Sequence, residues 1–193
     1  MSSGYDWIAR VSIFVIVISL AVIGVKLTGH ATDTGTINLT VQSNVAINFT
    51  IDNINWSTGK VSAGKDHATL DTTGSGTVTN GTWAAQPGFR IENIGTVNVT
   101  LNISSDKDAA TFLGDSGASF KYKISDNETG SCVGNGASSF TEFSGSNVDQ
   151  PGCSLFEFNN SKDSIELDIE LVIPYTTPSG AKSAVVTANA TAV

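Results

Sequence analysis

Between Val11 and Val25 the chain reads VSIFVIVISLAVIGV, with no charged residue and only Ser12 and Ser19 polar. Wound as a helix, this run is apolar on every side. Such a helix has no face to turn to water and must be buried in lipid or in a protein core. Its 15 residues make about 22 Å of helix at 1.5 Å per residue, short of the roughly 20 residues that cross a bilayer core. Extension from Trp7 to Leu27 reaches that length, with Arg10 and Lys26 snorkelling at the ends. Tyr5 and Trp7 stand where an interfacial aromatic anchor lies. Three burial modes are open: a membrane anchor, the core helix of a polymer, or a cleaved signal peptide with Gly29-His30-Ala31 as its small-x-small site. The weakly basic MSSGYDWIAR in front disfavours the signal peptide. The buried surface of the helix is assigned to Val11, Ile13, Phe14, Val15, Ile16, Val17, Ile18, Leu20, Ala21, Val22, Ile23, Val25 and Leu27.

After the polar linker TGHATDTG (28–35) the hydrophobic period changes to two. Ile37, Leu39 and Val41 alternate with Asn38, Thr40 and Gln42; Ile47, Phe49 and Ile51 alternate with Asn48, Thr50 and Asp52. The same pattern recurs at Val97–Ile103, Phe120–Ser125 and, most clearly, Ser164–Ile173. Shorter strands are expected at Ala68–Leu70, Gly76–Thr79 and Gly88–Ile94, and a last one at Lys182–Ala192. Half-buried strands read this way. On this reading Glu166, Asp168 and Glu170 form an exposed acidic strand face, which discourages mispairing. Trp56 and Trp83 are expected as core aromatics at sheet ends. Seven to nine strands are expected, with turns about every 8–12 residues and no helical period after residue 30, which points to an antiparallel β-sandwich. The chain is therefore mainly β: an N-terminal hydrophobic helix and linker over 1–30, then an extracellular sandwich over 31–193 that holds roughly 160 residues, enough for one core. GFRIENIGTVNVTLNIS and IPYTTPSGAKSAVVTANATAV resemble strand–turn–strand units of immunoglobulin-like surface domains, which implies fold and not function.

Sequons occur at Asn38, Asn48, Asn55, Asn80, Asn98, Asn102, Asn127, Asn159 and Asn189. A random arrangement of the 15 Asn with the 45 Ser and Thr gives about 3.5, so nine is an excess that argues for covalent N-glycans and an exported face. Three of them share the form [Ile/Val]-Asn-x-Thr, at Ile37, Ile47 and Val97. Side chains two apart share a strand face, so the alternation that buries the apolar residues turns Asn and Thr to solvent. Cys132 and Cys153 are 21 positions apart in a Gly/Ser-rich stretch, and a disulfide is expected there as the staple of a long loop over 126–153. That bond implies an oxidising compartment; two free thiols or half of a metal site are the alternatives.

Chemistry is sparse. Net charge is −8 with ten basic residues spread thinly, which argues against a nucleic-acid partner. His30 and His67 have no partner at ligand or triad spacing, and no glycine-rich phosphate loop is present. Asp106, Asp108 and Asp115 invite a Ca²⁺ reading, but Lys107 and the irregular spacing favour an ordinary solvated loop. No catalytic residue, metal site or cofactor is expected, and the chain is not read as an enzyme.

An apolar N-terminal helix followed by a β-sandwich headpiece resembles the archaeal type IV pilins and archaellins. The resemblance implies a helical homopolymer whose helices form the core, with the glycosylated β-domain outside. It also implies a cell-surface location, with the subunit held in the membrane before assembly. The chain departs from that family where a basic leader ending in Gly is usual: it has Met1-Ser2-Ser3-Gly4, and its nearest early acid is Asp6. A variant of this reading has Thr36–Asp52 inserting into a neighbour's sheet. The alternative function is a single-pass, membrane-anchored surface glycoprotein or adhesin.

Overall fold

The computed structural model describes Ser12, Thr36 and residues 39–193. Apart from Ser12, the expected hydrophobic helix lies outside the described residues, as does Asn38. The chain divides into two compact units, Met1–Val41 and Gln42–Val193, and the architecture below is that of the second. In chain order it contains β1 (Ile47–Ile51), β2 (His67–Asp71), β3 (Thr77–Thr79), β4 (Phe89–Asn93), β5 (Val99–Ser105), α1 (Ala109–Leu113), β6 (Ser119–Asp126), β7 (Cys132–Asn135), β8 (Thr141–Glu142), β9 (Gln150–Phe156), β10 (Ser164–Pro174) and β11 (Val186–Ala192).

The strand with the cleanest alternation, β10, is the spine of the larger sheet. One edge is taken by β6, in register from Ile165 opposite Asp126 to Val172 opposite Ser119. The other edge is shared end to end: β4 pairs with Ser164–Leu167 and β2 with Glu170–Pro174. At the join, Thr72 stands in for a strand residue. Its N–H donates to the Ile169 carbonyl (3.0 Å) and its Oγ1 accepts from the Ile169 N–H (2.8 Å). Gly88 is required beside it, because a Cβ there would lie 2.8 Å from Asp168 Oδ1 and 2.9 Å from the Leu167 carbonyl oxygen. Outside this frame β1 pairs with β4, β3 with β2 and β8 with β6.

The second sheet has the order β11-β5-β9-β7, and every pairing in both sheets is antiparallel. Val99, Leu101 and Ile103 of β5 and Phe156 of β9 join Ile91, Ile165, Leu167 and Ile169 in one buried cluster between the sheets. The two sheets thus share a core in a sandwich-like arrangement. The Asn93-x-Gly95 turn ties them together. Buried Asn93 accepts from the Gly95 N–H at 3.1 Å and donates to the carbonyls of Val97 (3.1 Å) and Phe156 (3.2 Å).

Three expectations are corrected and the expected disulfide is formed. The 126–153 stretch is not one loop: it holds β7, β8 and the start of β9. The Cys132–Cys153 disulfide is formed, and it joins neighbouring strands with Cα atoms 5.3 Å apart. Helical structure does occur after residue 30, in α1, where Asp108 caps the Thr111 N–H (2.7 Å) and Gly114 closes the helix at φ 78°. Its single turn is too short to print a 3.6 period in the sequence. Residues 39–42, the described part of the expected 37–42 alternation, form no strand, and strand pairing begins at Ile47, with β4.

Candidate functional site

Three features stand out: the sequon asparagines, one buried ion pair and one cavity. Asn48, Asn55, Asn127, Asn159 and Asn189 are exposed. Asn48 and Thr50, on β1, both face solvent as the alternation requires. Asn80, Asn98 and Asn102 are half-buried. The Asn98 Oδ1 accepts from the Phe158 N–H (3.1 Å), and Thr100 Oγ1 donates to the Ser154 carbonyl (3.1 Å), so this sequon is tied into its surroundings. Ser104, the hydroxyl residue of the Asn102 sequon, is 5% exposed. The amides of Asn127 and Asn189 donate to Ser164 Oγ (3.0 Å) and Asp149 Oδ1 (2.6 Å).

The acidic face of β10 is corrected at its centre. Glu166 and Glu170 are half-exposed and pair with Arg90 (3.3 Å) and Lys121 (2.9 Å), but Asp168 is 1% exposed. Its Oδ1 accepts from Thr72 Oγ1 at 3.3 Å. Its Oδ2 lies 3.4 Å from Lys123 Nζ, an ion pair without hydrogen-bond alignment. Lys123 also donates to Thr73 Oγ1 (3.0 Å) and sits over the Phe140 ring. Burial raises the Asp168 pKa above 3.8, and the Lys123 charge only partly opposes this. Asp163 is raised too, by burial first and then by the charges of Glu128 and Glu92. A carboxyl raised in the folded state adds stability that is full below its unfolded pKa and is lost as pH rises through the folded one. Asp168→Asn keeps an acceptor for Thr72 and removes the buried charge. It is expected to be more stable than the unsubstituted chain at pH 7, the difference closing as pH falls toward 3.8. Urea unfolding at a series of pH values measures it; a variant less stable at pH 7 contradicts it.

Asp106, Asp108 and Asp115 are occupied by the fold. Asp106 accepts from the Val185 N–H (2.7 Å), Asp108 caps α1, and Asp115 accepts from Thr176 Oγ1 (2.6 Å) and the Gly117 N–H (2.8 Å). These hydrogen bonds hold the Asp108 and Asp115 carboxyls below the ordinary value. Among the described residues no group of three or more His, Cys, Asp or Glu is arranged to hold a metal ion. His67 opens β2 and is exposed. Among the described residues, no helix is long and apolar enough to cross a membrane.

The sequence did not signal the cavity. About 1170 Å³ lies between the β10 end of the larger sheet and the two long connections, 53–65 and 174–184. Leu70, Phe89, Phe120, Ile169, Leu171 and Ile173 line it from the sheet, and Val186 from the start of β11. Trp56 and Trp83, expected as core aromatics, are half-buried and stand in its wall. The turn-rich composition of 53–65 was the one available hint, since such a connection closes over a sheet without filling the space below. No protein-family model, no curated protein and no solved structure matches this chain.

Proposed function

We propose that this chain is a structural subunit of an extracellular, pilus-like filament. Its hydrophobic N-terminal helix forms the polymer core, and its immunoglobulin-like β-domain stands outside, carrying N-glycans. The observation that carries the reading is the union in one chain of an uncharged 15-residue apolar run with a β-body whose acceptor asparagines 48, 55, 127, 159 and 189 are exposed. The run is short for a bilayer, and packing against its own copies removes that length requirement. The fold engages the acidic loop residues in capping and turns, and this chemistry suits a building block. Subunits that repeat through a contact that does not close yield a helical fibre.

Shearing the producing cells and examining the released material by negative-stain microscopy tests the proposal. The expected result is fibres that contain this polypeptide at a mass above that of the bare chain. Glycopeptide mapping is expected to find Asn48 occupied and Asn102, with its buried Ser104, empty. Recovery of the polypeptide only from detergent-extracted membranes would replace the filament with the anchored-glycoprotein reading, and a bare mass would remove the glycans.

A further inference from the structure

We infer that residues 37–43 of one copy add as an extra strand to the free edge of β11 in a second copy, placing Leu39 and Val41 in the cavity. Three observations carry this. First, β11 pairs only with β5 among the described residues, which leaves a seven-residue edge, VTANATA, without charge or proline. Natural edges are usually blunted by such residues, and β11 is the longest free edge described here. Second, the cavity reaches Val186 at the start of β11 and is lined by core side chains. At about 1170 Å³ it exceeds the 300–1,000 Å³ typical of small-molecule pockets and suits a chain segment. Trp56 Nε1 and Thr177 Oγ1, atoms of two lining residues, are buried without hydrogen-bond partners. Third, the segment supplies what the site lacks. Ile37, Leu39 and Val41 share one strand face, and Leu39 and Val41 are 84% and 82% exposed.

The polarity of the body favours a second copy as the occupant. Asn44 is tied to Thr96 by two hydrogen bonds (2.9 and 2.8 Å). Ile47 stands opposite Asn93, and Glu92 opposite Ser164, so the chain leaves the body where β10 begins. The cavity lies where β10 ends, at Ile169–Pro174. A donor at one end and an acceptor at the other make a head-to-tail contact that does not close on itself. Main-chain hydrogen bonds to the edge give the affinity and the alternate side chains give the specificity. By sequence parity Asn38 and Thr40 fall on the opposite strand face from Leu39 and Val41, so a glycan there is compatible with donation. The inference extends the filament reading without depending on the helix core.

The described residues contain no free cysteine, so added thiols report cleanly. Full-length chains carrying Leu39→Cys or Val186→Cys are coexpressed, extracted in detergent and treated with a short bismaleimide. A covalent dimer joining the two variants is expected, and it should disappear when Val41→Asp is added to the Leu39→Cys chain. Ala188→Cys, also on the inner face of β11, serves as a second acceptor if Val186→Cys does not fold. Absence of the dimer from protease-resistant, folded chains overturns the inference. So does a crosslink confined to single chains that carry both cysteines, which would make the occupant the chain's own segment. The readout needs no fibres: a dimer without fibres would refute the filament and keep strand donation, and fibres without the dimer would do the reverse.

Discussion

Replacing Cys132 and Cys153 together by Ser is expected to lower the free energy of unfolding by about 3 kcal/mol, from the loop-closure entropy of a 21-residue separation. For a chain of this size that corresponds to a fall in melting temperature of about 6–12 °C. The local structure adds to the effect. The edge strand β7 has only four residues, and Gly134 in its middle contributes no side chain. It pairs with β9 at Cys132 opposite Phe156 and Asn135 opposite Cys153. Without the covalent link, this short edge must hold the 126–141 region to the sheet by hydrogen bonds alone. Cys153 is also buried, so serine places a new hydroxyl in the core. Thermal melts followed by circular dichroism measure the loss. A change below about 1 kcal/mol would show that β7 is held by its pairing and not by the bond.

Core truncation is expected to cost unequal amounts at the two ends of the sandwich. Phe156→Ala is expected to destabilise by about 3–5 kcal/mol, the range for a large side chain lost from a filled core. Phe156 is 0% exposed, belongs to the buried core cluster and does not line the cavity. Leu171 is equally buried, but it faces the cavity. A side chain that already lacks partners on one side loses fewer dispersion contacts when removed. Leu171→Ala is therefore expected near the low end of the range for leucine, about 2 kcal/mol. Leu171→Phe is expected to be tolerated, whereas enlarging Leu101 in the filled half is expected to cost about 1–3 kcal/mol. Equal costs at both ends would contradict the existence of the cavity, and with it the acceptor half of the strand-donation proposal.

The strands that declared themselves in the sequence are those with one wet and one dry face. β5, β6 and β10 fall within two residues of where the alternation places them. That signal fails where its physical basis fails. β7 and the first half of β9, CVGN and QPGC, carry glycine and proline and gain their place from the disulfide and from β5, neither of which leaves a periodic trace. The alternation at Leu39 and Val41 is as clear as that of β1, yet no strand forms, because a strand needs a partner and periodicity cannot supply one. Asp168 sits on the outward parity of β10 but is buried, since Lys123, Thr72 and Gly88 close over it from three other parts of the chain. The sequon asparagines were legible as a pattern. Their differing access was not: the closure at Asn102 depends on the burial of Ser104, one residue beyond the β5–β9 pairing.

Among the described residues, the cavity and the unpaired edge of β11 are two properties that a polymer subunit can use, a space beside core side chains and a strand without a second partner. The apolar run from Val11 to Val25 supplies a third, a surface that cannot remain in water. Electron cryomicroscopy of the sheared fibres, at a resolution that shows side chains, tests the filament directly. A central helical bundle is expected, in which residues 11–27 of each copy contact the same residues of neighbouring copies, with the β-bodies arranged around it. A fibre that lacks this polypeptide, or one whose axis is built from anything other than that helix, would contradict it.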